Sequence, residues 1–244
     1  MPCVFNVAAY KFAKLDHLVE TRDELRGLTV SRDLRGVILL STEGVNLSLA
    51  GDREGIDVVL DRVRAIPGVG DFPLKETLSD TQPFNRMLVK IKREIIPFGV
   101  PDISPATYTS ARLTPGEMKR WLDEGRPVTL LDTRNRFEIE AGTFRGAVAI
   151  GIENFRDFPA AVEKLPEAMK QTPVVTFCTG GIRCEKAAPY LERAGFTEVY
   201  QLDGGILDYF KTCGDAHYDG ECVVFDQRGS LRPDLESSGT TFER

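Results

Sequence analysis

The segment PVVTFCTGGIRCEKAAPYLERAG (residues 173–195) joins an apolar run, a glycine-rich loop and a helical pattern. The apolar run ends at Cys178, and Gly195 is the kind of residue that ends a helix. A buried strand followed at once by a helix is typical of a parallel α/β sheet. The segment therefore predicts that Cys178 lies on a strand-to-helix loop, at the sheet edge where ligands bind.

The loop after Cys178 has the composition of an anion-binding loop. Gly180 and Gly181 permit backbone conformations in which successive N–H groups turn towards one atom. The N-terminus of the following helix and the guanidinium of Arg183 add positive charge. These features favour the thiolate of Cys178, or a persulfide anion on its sulfur, and predict a reactive cysteine. The predicted active-site loop consists of Thr179, Gly180, Gly181, Ile182 and Arg183.

The spacing of the loop limits the size of its ligand. Four residues separate Cys178 from Arg183, whereas the C-x5-R loop of cysteine phosphatases is one residue longer and holds a tetrahedral phosphate. The shorter loop favours one additional sulfur or oxygen atom on the cysteine. If Arg183 stabilises the anionic sulfur, we expect Arg183→Ala to raise the pKa of the thiol and to leave the fold intact.

Apolar runs alternate with helical stretches through the second half of the chain. Thr114 and Glu117 form a capping-box pattern, which predicts the first helix there. The alternation predicts a central parallel sheet flanked by helices over residues 114–213, followed by a C-terminal tail over 214–244. The apolar runs are VTLLD (128–132), AVAIG (147–151), PVVTFC (173–178) and TEVYQL (197–202).

The first half of the chain has a different pattern. Residues 1–98 show the order β-α-β-β-α-β, which is the ferredoxin-like arrangement. Its last strand is predicted at RMLVKIKREII (86–96), where apolar and basic residues alternate. Residues 97–113 hold three prolines without clear periodicity, and we predict a linker over 99–113. The chain is therefore predicted to be an α/β protein of two domains.

Composition argues against several classes of protein. Apolar residues form 42% of the 244 residues, and no run reaches the roughly 18 apolar residues of a membrane span. The net charge of −6 disfavours non-specific binding to DNA. Five cysteines without a secretory signal indicate free thiols in a reducing cytoplasm, and two histidines argue against histidine-rich metal centres. We expect a cytoplasmic protein with no metal and no membrane contact, and the sequence leaves its oligomeric state open.

Motifs on both sides of the loop resemble those of a rhodanese domain. LLDTRNRFEIEAGTFRGAV (130–148) is similar to the first rhodanese signature, and VYQLDGGILDYF (199–210) is similar to the closing one. Thr143-Phe144 stands where the first signature usually has His-Ile. This departure, together with STEGVN (41–46) and GECVVFDQR (220–228), resembles one subfamily, the rhodanese-containing, oxygen-dependent tRNA uridine(34) hydroxylases.

The resemblance implies a tRNA-modifying enzyme that converts the wobble uridine to 5-hydroxyuridine, with O2 as co-substrate and an unidentified electron donor. It also implies that Cys178 is the essential cysteine, as a thiolate or a persulfide. No G-x-G-x-x-G fingerprint of a flavin or nicotinamide enzyme follows a strand. Two alternatives remain open: a sulfurtransferase that passes sulfur through a Cys178 persulfide, and a non-catalytic sulfide or redox sensor that binds a partner.

Several residues outside the loop are candidates for supporting roles. Asp132 and Arg134 are expected to hold the loop through hydrogen bonds and an ion pair. Cys184 is a candidate to resolve a persulfide into a disulfide, although its position favours a side chain that points away from Cys178. A C-x3-H-x4-C pattern is one ligand short of a structural zinc site, and packing of the tail is the simpler interpretation. This pattern consists of Cys213, His217 and Cys222.

A basic strand in the first half is the best candidate for contact with tRNA. Phe84 and Phe98 flank this strand and are candidates to stack on a base, with core packing as the alternative. A solvated sheet face is the ordinary interpretation of such a strand, and the family resemblance favours RNA contact. The charged residues are Arg86, Lys90, Lys92 and Arg93.

Overall fold

A computed structural model of the protein describes residues 3–240. The chain divides into two compact units between Pro97 and Phe98. Each unit contains its own five-stranded sheet and its own hydrophobic core.

The first unit combines its sheet with two helices. Its elements are β1 (Val4–Phe12), α1 (Leu18–Ser31), β2 (Arg35–Ser41), β3 (Gly44–Gly51), α2 (Arg53–Arg64), β4 (Lys75–Ser79) and β5 (Met87–Ile91). The strands lie in the order β4-β1-β3-β2-β5. The first four strands pair antiparallel, and β5 pairs with β2 in parallel. The first six elements follow the βαββαβ order predicted from the sequence, and β5 is a further strand.

Helix α2 contributes one apolar face to the core of this unit. The Asp52 carboxylate accepts a hydrogen bond from the Gly55 N–H at 2.8 Å, which satisfies a donor at the start of the helix. Helical spacing then brings the apolar side chains to one side of α2. The buried residues on this face include Ile56, Val59, Leu60 and Val63.

The strand that completes the ferredoxin-like sheet is not the predicted one. β4, with the sequence KETLS, pairs with β1, whereas the predicted last strand forms β5 at the opposite edge. β4 is an edge strand that buries little, and its Leu78 is 52% exposed. Because neither face of β4 is strongly apolar, the strand lacks the alternation that identifies a half-buried strand. The assignment of residues 86–96 as the fourth strand is therefore wrong.

The second unit is built on a parallel sheet. Its strands lie in the order β6-β11-β10-β7-β9, and all neighbours are parallel, as predicted. Short 3-10 helices cover Phe155–Asp157 and Glu167–Gln171. The other elements are β6 (Ala111–Leu113), α3 (Pro115–Asp123), β7 (Thr129–Asp132), α4 (Arg136–Ala141), β8 (Gly142–Phe144), β9 (Val148–Ala149), α5 (Phe158–Val162), β10 (Val174–Phe177), α6 (Cys184–Arg193), β11 (Val199–Leu202), α7 (Gly205–Cys213), β12 (Tyr218–Gly220), β13 (Cys222–Val223) and β14 (Ser230–Leu231).

Helix α3 begins as its sequence predicts. The Thr114 hydroxyl accepts a hydrogen bond from the Glu117 N–H at 3.3 Å, and the Thr114 N–H donates to the Glu117 carboxylate at 3.2 Å. Pro115 occupies the first helical position. This reciprocal pair is the capping box, which satisfies two backbone donors at the helix start.

Segments expected to be linker and tail take part in the second unit. β6 forms the end of the expected linker and pairs with β11. Phe98 is buried and packs against the rings of Phe155, Phe158 and Tyr190, so it is a core residue and not a base-stacking one. In the expected tail, β12 pairs with β8, and β13 and β14 form a hairpin. Strands of two or three residues are too short to show a periodic pattern.

Candidate active site

Cys178 lies at the carboxyl end of β10, directly before the loop that leads to α6. β10 is an interior strand of the parallel sheet, with β11 on one side and β7 on the other. The side chain of Cys178 is fully buried. The loop Thr179–Arg183 therefore starts at the sheet edge where ligands bind in α/β proteins.

Hydrogen-bond donors surround the sulfur of Cys178. The Gly181 N–H donates to Sγ at 3.2 Å. Gly181 has a φ of +95°, a conformation that favours glycine, and the loop folds back so that this N–H meets the sulfur. The Arg183 backbone N–H and the Cys184 thiol also favour the anionic form of this sulfur and lower the pKa of Cys178. Together these groups form a cradle that stabilises an anion at Sγ.

The cradle makes Cys178 acidic. Burial raises the pKa of the Cys178 thiol, but the hydrogen bond from Cys184, the charge of Arg183 and the N–H groups of Arg183 and Gly181 outweigh burial and lower the pKa to about 5. Burial and the hydrogen bond to Cys178 raise the pKa of Cys184. At neutral pH, Cys178 is therefore a thiolate and Cys184 is the protonated donor.

The position of Cys184 differs from the expectation that it points away from the loop. Its thiol is close enough to the Cys178 sulfur to lower the pKa of Cys178, and its own sulfur lies 3.9 Å from the Thr133 hydroxyl oxygen. The Cys184 N–H donates to the Gly181 carbonyl at 3.0 Å, which turns the start of α6 back over the loop. A reversal of the backbone within five residues brings together two sulfurs that an extended connection would separate.

The acidity of Cys178 predicts an order of alkylation. At about pH 6, iodoacetamide should modify Cys178 before Cys213, although Cys213 is more exposed, because burial raises the pKa of Cys213. Cys184→Ala removes a donor and should move the pH–rate curve of Cys178 to higher pH. Cys184→Ser keeps a donor and should move the curve less. Peptide mass spectrometry across pH measures both effects, and an unmoved curve in Cys184→Ala would contradict the assigned hydrogen bond.

Arg183 is held in a buried ion pair. Its Nη1 and Nη2 atoms donate to the two carboxylate oxygens of Glu138 at 2.6 and 2.7 Å. Glu138 is fully buried, and only 5% of Arg183 is exposed. Burial raises the pKa of Glu138, but the charge and hydrogen bonds of Arg183 more than offset this and lower it. Because Arg183→Ala leaves this carboxylate buried without its ion-pair partner, the structure leads us to expect that the substitution destabilises the fold, whereas the sequence alone predicted an intact fold.

Glu138 connects helix α4 to the Cys178 loop. Besides Arg183, its carboxylate accepts hydrogen bonds from the Asn135 N–H at 3.1 Å and from the Thr179 hydroxyl at 3.4 Å. Sequence reasoning placed Glu138 in a rhodanese-like signature but missed its role as the partner of Arg183. Its location three residues after the helix cap at Asn135 predicts the local contact with Asn135. It does not predict the contact with Arg183, which is distant in sequence.

Asp132 and Arg134 form the expected ion pair in the core. Arg134 Nε and Nη2 lie 2.9 and 2.6 Å from the carboxylate oxygens of Asp132, and both side chains are fully buried. Arg134 also donates to the Gly142 carbonyl at 2.6 Å, and the Thr143 hydroxyl donates to Asp132 at 2.8 Å. These bonds tie the end of β7 to β8. The pair thus supports the elements beside the loop through Gly142 and Thr143.

The N-terminus of α7 is hydrogen-bonded to the backbone at the start of the Cys178 loop. The N–H groups of Ile206 and Leu207 donate to the carbonyls of Cys178 and Thr179 at 3.0 and 3.1 Å. Gly205, the first residue of α7, has a φ of +68° and leaves no room for a β-carbon. A β-carbon there would lie 2.4 Å from the Cys178 carbonyl oxygen and 2.8 Å from the Gly181 nitrogen.

This contact predicts that Gly205→Ala disturbs the cradle. Gly205→Ala should cost about 1–3 kcal/mol of unfolding free energy from its backbone conformation. It should also slow Cys178 alkylation at about pH 6 by roughly tenfold, because the N–H donors move away from the sulfur. Gly214→Ala is the matched control, since Gly214 has a φ of +62° but no atom near its β-carbon position. Equal alkylation rates in the two variants would show that the contact with Cys178 is unimportant.

The cysteines and the histidine of the C-terminal region lie in different surroundings. Cys213 ends α7, whereas Cys222 is buried in β13, where burial raises its pKa to about 12. His217 Nε2 lies 2.7 Å from the Asp123 carboxylate. Within residues 3–240, no group of three or more His, Cys, Asp or Glu side chains is arranged to hold a metal ion.

The basic candidates of the first unit surround its edge strand β5. Met87, Val89 and Ile91 of β5 pack against the core of that unit. The four cations named from the sequence are exposed to solvent at or beside this strand: Arg86, Lys90, Lys92 and Arg93. Phe84 is half-buried. In the described part of the chain, every helix lacks the length and apolar character of a membrane span.

Comparison with known proteins agrees with both units. Residues 4–95 match the UPF0176 acylphosphatase like domain, and residues 114–212 match the Rhodanese-like domain. The tRNA uridine(34) hydroxylase of Bordetella petrii is 48% identical to this chain, over 100% of this chain and 98% of that protein. The protein of the same name from Cupriavidus necator is 47% identical, over 97% of this chain and 86% of that protein. The cysteine cradle thus lies in the rhodanese-like part of a chain that belongs to the tRNA uridine(34) hydroxylase family.

Proposed function

We propose that this protein hydroxylates C5 of uridine 34 in tRNA, with Cys178 as the catalytic residue. The observation that carries the proposal is the buried Cys178 sulfur that accepts the Gly181 N–H, within a chain that aligns over its whole length with a tRNA uridine(34) hydroxylase. A thiolate is a strong nucleophile, and an electron-poor pyrimidine ring is a suitable electrophile for it. The protein is an oxidoreductase that acts on tRNA, and we place its action in the cytoplasm.

The reaction requires an oxidant and a reductant. Uridine, O2, two electrons and two protons give 5-hydroxyuridine and water, so one oxygen atom enters the base and the other is reduced. The two electrons come from a two-electron reductant outside the chain. In this scheme the chain supplies a site in which an anionic sulfur is stabilised and shielded from water.

Cys178 has a direct role in this scheme. We propose that its thiolate, or a persulfide on it, adds to C6 of the uracil. The addition makes C5 nucleophilic towards an oxidised sulfur or oxygen species that is formed from O2. Once C5 carries the oxygen, loss of the C5 proton expels the sulfur and restores the ring. RNA with 5-fluorouridine at position 34 blocks this last step, because fluorine does not leave as a cation. Mass spectrometry should then detect a Cys178–RNA adduct, and its absence in arrested enzyme would exclude addition to C6.

The basic residues around β5 are proposed to contact the phosphate backbone of the tRNA. Four exposed cations lie there within eight residues of sequence, at Arg86, Lys90, Lys92 and Arg93. Residues 1–98 carry 14 basic and 14 acidic side chains, whereas residues 99–244 carry 17 and 23, so the first unit is the less acidic half. Phosphate contacts position a nucleic acid and depend on such local clusters of charge.

A sulfurtransferase is the second candidate, since the same cradle also stabilises a persulfide anion. A thiosulfate:cyanide assay with a Cys178→Ser control tests this activity. A non-catalytic sulfide or redox sensor is the third candidate, and it predicts that Cys178 substitution changes partner binding but not RNA modification.

Nucleoside mass spectrometry of tRNA tests the proposed function directly. A strain that lacks the gene should lose 5-hydroxyuridine at position 34, and expression of this chain should restore it. Purified protein should then form 5-hydroxyuridine in unmodified tRNA when O2 and a reductant are supplied. If the purified protein transfers sulfur from thiosulfate to cyanide but forms no 5-hydroxyuridine, the sulfurtransferase is favoured.

A further inference from the structure

Two phenylalanine rings that contact each other belong to segments hydrogen-bonded to the Cys178 loop, and one of the rings is largely exposed. Phe225 is 53% exposed, and Phe137 is half-buried. Their ring centroids are 6.4 Å apart, and their planes meet at 89°. An exposed aromatic ring can stack on a base of single-stranded RNA.

Both rings are attached to backbone that is bonded to the loop. Phe137 directly precedes Glu138, whose carboxylate accepts hydrogen bonds from Arg183 and Thr179. Phe225 lies two residues after Val223, whose carbonyl accepts a hydrogen bond from the Thr179 hydroxyl at 3.4 Å. Thr179 is the residue next to Cys178, so both rings belong to segments that are hydrogen-bonded to the start of the loop.

Phe225 lies on a turn that is held by hydrogen bonds and an ion pair. It is in the connection between β13 and β14, where the Val224 N–H donates to the Gly229 carbonyl at 2.9 Å. The Asp226 carboxylate and the Arg228 guanidinium form an ion pair at 2.6 Å within the same turn, and both side chains are largely buried. Because the turn is already ordered, a ligand that contacts Phe225 pays little conformational entropy.

We propose that Phe225, supported by Phe137, stacks on a base of the tRNA anticodon loop at the rim of the Cys178 site. This inference rests on the proposed function and names the chemistry that holds its substrate. Single-stranded RNA is bound mainly through bases that stack on aromatic side chains. Stacking does not depend on phosphate attraction, which the net negative charge of residues 99–244, 17 basic against 23 acidic side chains, weakens for this half of the chain as a whole.

RNA binding by the full chain tests the role of Phe225. An anticodon stem-loop with uridine 34 is titrated without O2, so that no turnover occurs. Phe225→Ala should raise the Kd by about 5- to 150-fold, which is the range for loss of one stacked base. Phe225→Tyr keeps the ring and should bind within about twofold of the wild type. Tyr108→Ala is the matched control, because Tyr108 is 58% exposed in the same unit and should be replaceable without effect.

Two outcomes would overturn the proposal. A Kd of Phe225→Ala within about twofold of the wild type excludes stacking, and so does Phe225→Leu binding as well as Phe225→Tyr, because leucine keeps apolar packing without a ring. Cys178 alkylation at about pH 6 should be unchanged in Phe225→Ala, which shows that the cradle is intact. Failure of wild-type protein to hydroxylate tRNA instead counts against the proposed function.

Photocrosslinking locates the stacked base. Stem-loops that carry 5-iodouridine at position 34 or at either flanking position are bound to the protein and irradiated. The crosslinked peptide is then identified by mass spectrometry. A crosslink to Phe225 or Phe137 from any of these positions supports the proposal. Crosslinks that map only to other residues overturn it.

Discussion

Cys178→Ser should reduce hydroxylation of uridine 34 by at least about 10³-fold, because the reacting sulfur is removed while its surroundings stay in place. A serine hydroxyl is nearly the same size but is not ionised at neutral pH, and it cannot carry a second sulfur. The cradle that lowers the pKa of the thiol cannot compensate for this difference. Nucleoside mass spectrometry of tRNA from a deletion strain that expresses the variant measures the loss.

Cys213→Ser is the matched control for this prediction. It makes the same chemical change at a half-buried thiol at the end of α7 and should retain full activity. The chain has one tryptophan, and Trp121 is buried in the core of the second unit, so its fluorescence reports unfolding of that unit. Cys178→Ser should unfold at a similar urea concentration to the wild type. Half of the wild-type activity in a folded Cys178→Ser protein would exclude catalysis through this sulfur.

The second large effect is expected at Arg183. Arg183→Ala should lower the unfolding free energy of the second unit by about 3–5 kcal/mol, because the buried carboxylate of Glu138 loses its cation. The remaining folded protein should also show a raised pKa of Cys178, because the charge of Arg183 is one of the factors that lowers it. Urea unfolding followed by Trp121 fluorescence measures the first effect, and alkylation across pH measures the second.

A double substitution separates the two roles of Arg183. Arg183→Met with Glu138→Leu removes both charges and should recover most of the lost stability, because apolar residues of similar size often replace a buried ion pair without cost. The double variant should still have a raised pKa of Cys178 and little activity. If it regains activity together with stability, Arg183 serves the fold alone and has no role at the sulfur.

Local patterns in the sequence were sufficient to locate the reactive residue. The apolar strand, the glycine pair, the arginine and the following helix are contiguous between residues 173 and 195, and the positive φ of Gly181 is a property of that short segment. The capping box of α3 followed from spacing alone. Edge strand β4 was missed because it buries too little apolar surface to show a period.

The sequence by itself therefore determined the two α/β units, the parallel sheet of the second unit and the place of Cys178 at the sheet edge. Only the tertiary structure decided what surrounds the sulfur. Glu138 meets Arg183 across 45 positions of sequence, and the turn that carries Phe225 reaches Thr179 through Val223 across 44. Secondary structure depends on near neighbours and appears as a period, whereas partners at such separations are chosen by chain packing, which leaves no local pattern. The acidity of Cys178 and the contact between Phe137 and Phe225 arise at this second level.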